Sequence, residues 1–202
     1  MHTPPLLWPS VATPTNEVAA IKNLYANLWG VAYNVEAWAA ALNLYNFAKQ
    51  NPHSITPSNA RQWTFIASNE CVLQLDHLRE RLKHIKGHKV HVCPSLAGSI
   101  DFTKLRNAPK LLDTYFPGID DLRHAIAHAG ANDVLPDEHV AGEGYLLTGF
   151  REPDRYSAPH KGIIRHLDIT QGTSARIDEI VVEFFLAFAP AARLLEQQGH
   201  LD

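Results

Sequence analysis

The chain has 202 residues, 46% of them hydrophobic and 19% charged, with a formal net charge of -3. These values fit a single globular domain over 1–202 and exclude recognition of nucleic acid through bulk positive charge, so any such contact must be local. Two cysteines, Cys71 and Cys93, give no disulfide framework, no stretch is long and apolar enough to span a bilayer, and the start lacks the basic residues of a signal peptide, so a cytoplasmic location is expected.

Residues 1–14 carry Pro4, Pro5 and Pro9 and read as an extended N-terminal arm. Thr15 or Asn16 then caps a long helix with Glu17 in its first turn. Its apolar stripe is Val18, Ile21, Tyr25, Leu28, Ala32, Val35, Ala39 and Leu42, widened by Trp29, Trp38 and Tyr45. It runs to about Gln50, and whether Gly30 kinks or divides it is left open. Thr56-Pro57 opens a second helix with the stripe Cys71, Leu75, Leu78, Leu82 and Ile85, ended by Gly87. Arg79, Arg81, Lys83 and Lys86 crowd its last turns, where cations complement the helix dipole and solvate an exposed face, a nucleic-acid patch being the lesser alternative. Asn69-Glu70 interrupts its apolar run and reads as a surface position, with a buried polar group facing the site as the alternative.

Residues 88–100 read as a loop or one short strand. Asp101 to Tyr115 has helical composition, with Pro109 arguing for a late start or a kink. Residues 132–171 are rich in Pro, Gly, Asp and Glu, and hold two strand-like runs, Tyr145–Phe150 and Ile163–Ile169, which predict a small β-hairpin insert. Thr173-Ser174 caps a last long helix with the stripe Ile177, Val181, Phe184, Phe188, Ala191 and Leu195, kinked at Pro190 and ended by Gly199. The expected fold is mainly α: an up-and-down bundle of four to six helices with the hairpin inserted before the last one. Trp29, Trp38, Phe184 and Phe188 are assigned mostly to the core.

The densest polar chemistry lies between the insert and the helix ending at Tyr115. Pro117 to Gly130 predicts a short helix, with Gly118 outside its start, Asp120 and Asp121 in its first turn, and Gly130 as a left-handed C-cap. Ile119, Leu122, Ile126 and Ala129 form its core stripe. His124 and His128 lie one turn apart roughly opposite that stripe, with Asp121 on the same side. Arg123 sits on a flank about 140° around from His128. The His pair should therefore look into a groove or at a partner, and Asp120 or Asp121 is available to pair with Arg123.

Arg123-His124-x-x-x-His128, followed by Ala129-Gly130, resembles the signature of the HEPN superfamily: an Arg, a polar residue, a spacer and a His, late in a helical bundle. The resemblance implies a metal-independent endoribonuclease, in a family with many toxins and defence effectors, acting as a homodimer whose two motifs meet in an interface cleft. It implies Arg123, His124 and His128 as catalytic residues, Arg123 and His124 as phosphate ligands, RNA or a nucleotide as ligand, an antitoxin-type protein as a possible partner, and no cofactor. The residue types suit the chemistry. RNA is cut by its own 2′-hydroxyl, given a base, an acid and a cation for the phosphorane. Imidazole exchanges protons near neutrality, and guanidinium offers a planar fork to phosphate oxygens.

Two other readings stay open. In one, a non-catalytic helical module binds RNA, a nucleotide or a protein partner. In the other, His124 and His128 at i, i+4 spacing hold a metal with Asp121 as third ligand, although Ala125 stands where a metalloprotease would carry Glu.

Overall fold

A 33-residue helix, α1 (Val18–Gln50), follows a 3-10 turn at Thr15–Glu17. The computed structural model describes residues 2–51, 56–128, 149–152, 154–161 and 163–200, with the side chains of all of these except His128 and residues 149–152. After α1 come α2 (Pro57–His84), which continues as a π turn over Ile85–Lys89, the short α3 (Pro94–Ala97), α4 (Phe102–Tyr115) and α5 (Ile119–His128). Strands β1 (Gly149–Glu152), β2 (Arg155–His160) and β3 (Ile163–Asp168) precede α6 (Gln171–Leu186) and α7 (Ala189–Gln197). The chain is thus mainly helical, with a small antiparallel sheet before the last helices. Among the described residues no helix is long and apolar enough to cross a membrane.

The described chain clusters into two compact units: Met1–Glu36, His77–Tyr115 and Arg176–Asp202 form one, and Ala37–Asp76 and Phe116–Ala175 the other. Three of the boundaries fall inside α1, α2 and α6, so no linker sequence announces them.

In the first unit the core gathers Ile21, Leu24, Leu28, Leu78, Leu82, Ile85, Leu105, Leu112, Ile180, Phe184 and Phe188, all within 1% of full burial. Of the predicted α1 stripe, Ile21, Leu28, Ala32 and Val35 are buried in this unit, Val18 and Tyr25 are only half-buried, and Leu24 and Val31 join the core beside them. The N-terminal arm is fastened, not free. Leu7 is fully buried, Val11 N–H donates to the Gly199 carbonyl at 3.0 Å, and the Ser10 hydroxyl donates to Gln198 Oε1 at 2.7 Å. Glu17 is buried, and its carboxylate accepts from the Ser95 N–H and hydroxyl (3.0 and 2.6 Å), capping the start of α3. Pro109 sits inside α4, buried, and the helix continues through it. The chain leaves helix at Ala187-Phe188, and Pro190 falls in the first turn of α7, where its missing N–H has no helical partner to lose.

Gly30 does not divide α1. An ideal Cβ at Gly30 would stand 2.2 Å from Arg81 Nη1, so the glycine admits the Arg81 guanidinium against the helix backbone. Mid-helix glycine costs about 1 kcal/mol relative to Ala, and this approach is what the missing side chain permits.

In the second unit Trp38, Leu42, Cys71, Val72, Leu75, Ile119, Leu122, Tyr156, Ala158 and Leu167 are buried. The sheet has the order β1-β2-β3 and is antiparallel throughout. The register pairs Tyr156 with Leu167 and Ala158 with Arg165, so Tyr156, Ala158 and His160 share a face with Ile163, Arg165 and Leu167. The predicted hairpin therefore contains a further strand, β2, between its two strand-like runs; residues 145–148 lie outside the described residues. Pro159 hides β2 from sequence reading, because proline removes a ladder donor. Here β1 pairs only with residues 155–157, so Pro159 lies beyond the end of that ladder. Asn69 is not simply a surface residue: its Oδ1 accepts from the buried Tyr156 hydroxyl at 2.7 Å. The α6 cap is Thr170, whose Oγ1 accepts from Thr173 N–H at 3.3 Å, while Thr173 donates its own hydroxyl to the Asp168 carbonyl at 2.6 Å. Trp38 Nε1–H donates to Ser174 Oγ at 3.0 Å.

Asp154 joins the sheet to α1. Its backbone is left-handed (φ 62°), a conformation Asp tolerates, and its carboxylate accepts from Lys49 Nζ at 2.6 Å and the Tyr45 hydroxyl at 2.9 Å. The Lys49 bond chiefly holds this carboxyl below its usual range. A depressed folded-state value means stability that is complete above the unfolded Asp range and is lost as pH falls through the folded one. Asp154→Asn keeps the backbone preference and is expected to cost about 1 kcal/mol or less at pH 7, since the pair is partly exposed. The gap to the parent protein should close below about pH 4, read from urea midpoints.

Candidate functional site

Helix α5 begins at a built turn. Gly118 has φ 79°, and its carbonyl accepts from Leu122 N–H at 3.2 Å. An ideal Cβ there would lie 2.6 Å from Arg165 Nε. Glycine is required twice, by the left-handed backbone and by the Arg165 side chain crossing it. Gly118→Ala is expected to lower stability by about 1–2 kcal/mol, whereas Gly98→Ala, with nothing within 4 Å and no positive φ, should be near neutral in the same denaturant titration.

Ile119, Leu122 and Ala125 are buried and Ile126 is half-buried, close to the predicted stripe; Ala129 and the predicted cap Gly130 lie outside the described residues. The polar side meets two neighbours. Arg165 Nε donates to Asp121 Oδ2 at 2.8 Å, and His160 Nε2 lies 3.6 Å from Asp121 Oδ1. The His160 ring stacks on His124, with centroids 5.6 Å apart and planes 14° from parallel. His160 is mostly covered, its side chain 14% exposed, while His124 is exposed. On the other flank Arg123 Nε stands 3.5 Å from Oδ2 of the buried Asp76. The Arg123 side chain stays 44% exposed.

The available pairing between Arg123 and the first-turn aspartates is therefore not the observed one. Asp121 is engaged by Arg165, and Arg123 meets Asp76 of α2. Asp121 and His124 do share a side of α5, as helical spacing predicts, and that side faces the sheet. His128 closes α5 in the backbone, and its side chain lies outside the described residues. Its meeting with Arg123 or His124 is not described. Among the described residues no group of three or more His, Cys, Asp or Glu is arranged to hold a metal ion. Asp121 is committed to a guanidinium and an imidazole.

Three residues of this cluster escape sequence reading: Asp76, His160 and Arg165. The two sheet residues carry a signal only if β2 is recognised, since His160 and Arg165 then fall on one face by alternation. Asp76 sits at i+1 from the core residue Leu75, where nothing in the pattern marks a carboxylate as buried.

The two thiols take no part. Cys71 and Cys93 are buried, and burial pushes them up to about 12 and about 11, so they are protonated small core residues. Compared with known proteins, the chain matches no family model, no curated protein and no solved structure.

Proposed function

We propose that α5 carries a HEPN-like Arg–His motif and that the protein is a metal-independent endoribonuclease. One observation chiefly supports this: Arg123 and His124 are consecutive on α5 and both exposed, on different flanks, and each is steadied by a neighbour from another element. Asp76 holds Arg123 from α2, and the guanidinium, 44% exposed, keeps donors to offer a phosphate oxygen. His160 holds the His124 ring by stacking. Arg123 stabilises the charge on the phosphorane, His124 orients the phosphate, and His128, one turn on in the same helix, moves the proton from the 2′-hydroxyl or to the leaving 5′-oxygen. The active form is a homodimer in which two such helices share one cleft, concentrating positive potential locally although the chain is net negative. An antitoxin-type protein that covers this cleft is a fitting partner, and the cytoplasm, where RNA is at hand, a fitting location.

The test is cleavage of single-stranded RNA by purified protein in excess chelator, with product ends analysed for 2′,3′-cyclic phosphate. Cleavage that persists without metal and leaves cyclic ends supports the proposal. Activity lost with chelator, or no cleavage at all, removes it. The pairing of Arg123 with Asp76 favours one second reading, in which the same helix face binds RNA, a nucleotide or a protein partner without cutting. Binding without cleavage would select it.

A further inference from the structure

A second cationic feature lies in the other unit. The guanidinium of Arg81 rests against the α1 backbone at Gly30, in space that any side chain at position 30 would fill. Its Nε donates to Oδ1 of the buried Asn34 at 3.1 Å, which fixes the plane of the fork. Nearby acids are taken by other cations: Glu80 lies 3.4 Å from Arg79, and Asp113 lies 3.1 Å from Arg79 and 3.6 Å from Lys83. Arg81 has no carboxylate within ion-pair distance among the described residues, and its Nη atoms have no protein acceptor there. Neither Nη is sealed, because among the described residues no buried side-chain nitrogen lacks a partner.

The dipole and solvation account of the basic turns of α2 covers Arg79 and Lys83, which have acidic partners. It does not cover Arg81, which is half-buried, immobilised through Nε and seated on a glycine. His77 and His84 stand at i−4 and i+3 from Arg81 on α2, both exposed, and Tyr33, 65% exposed, lies one turn from Gly30 on α1. A guanidinium held flat with its outer edge open matches the bidentate geometry of a phosphate oxyanion, and pre-fixing the fork lowers the ordering cost of binding.

We propose that Arg81, seated on Gly30 and fixed by Asn34, is a binding site for a phosphate group, free or carried on a nucleotide. The proposal is independent of the function of α5. The Arg81 Nε–Hε NMR signal, followed at constant ionic strength, tests it. Inorganic phosphate and adenosine 5′-monophosphate are both expected to shift the signal with millimolar affinity, while adenosine leaves it in place. A tighter response to the monophosphate than to phosphate assigns the site to nucleotides, and equal responses assign it to the free anion. Arg81→Lys is expected to weaken binding about tenfold, since an ammonium cannot present the fork. Gly30→Ala expels the guanidinium and should abolish the response, whereas Arg79→Gln should not change it. No shift with either anion, an equal response to adenosine, or unchanged binding in Gly30→Ala overturns the proposal. If Gly30→Ala does not fold, Arg81→Gln decides by saturation transfer from protein to the monophosphate: loss of transfer supports the site and retained transfer overturns it.

Discussion

Arg123→Ala and His128→Ala are each expected to reduce metal-independent cleavage of single-stranded RNA by about 100-fold or more. The magnitude follows from the roles. Removing a positioned cation from a developing oxyanion typically costs on the order of 10²–10³ in rate, and removing a general acid or base about 10²–10⁴. Arg123→Lys keeps the charge and loses the planar fork, so it should recover only part of the loss. Replacing Arg123 takes a guanidinium from the buried Asp76 carboxylate, so thermal midpoints measured alongside must show the variants folded before the loss is read as chemistry. Asp76→Asn should give a smaller loss, of about tenfold, by loosening the Nε edge of Arg123. Cleavage that survives both alanine substitutions would sink the assignment of the motif, whatever enzyme was then responsible.

Trp38→Ala is expected to cost about 3–5 kcal/mol, the usual range for emptying a large aromatic site in a core. Trp38 is 2% exposed, and the substitution also deletes its bond to Ser174. Trp29→Ala, on the same helix, should cost under about 1 kcal/mol. Trp29 is 42% exposed, and its ring contact is an edge-on meeting with Tyr25 at 6.3 Å. Denaturant midpoints of the two variants measured side by side decide the matter. Comparable losses would mean that the stripe of α1 is assigned to the wrong face.

That contrast shows where sequence reading reached its limit. Trp29 and Trp38 look alike in composition, and both flank the predicted stripe. Periodicity ranks faces of a helix only to within a residue: Leu28, Ala32, Val35 and Leu42 of the predicted stripe are buried, while Leu24 takes the place of Tyr25 and Ala39 is exposed beside the buried Trp38. On α2, by contrast, all five predicted core residues from Cys71 to Ile85 are buried, because that stripe is shorter and its flanks are plainly polar.

Local chemistry was readable directly. The starts of α2 and α5, the first-turn aspartates, most of the core face of α5 and the antiparallel insert before the last helix all follow from caps, periodicity and turn residues, which act over a few positions along the chain. The tertiary structure alone decided which charges meet: Arg123 with Asp76, Asp121 with Arg165 and His160, Arg81 with Gly30 and Asn34. These partners lie on different elements far apart in the chain, and a strand hidden by Pro159 supplies one of them. A guanidinium accepts any carboxylate or amide oxygen brought within reach, so spacing in sequence cannot choose its partner, and only the packed backbone does.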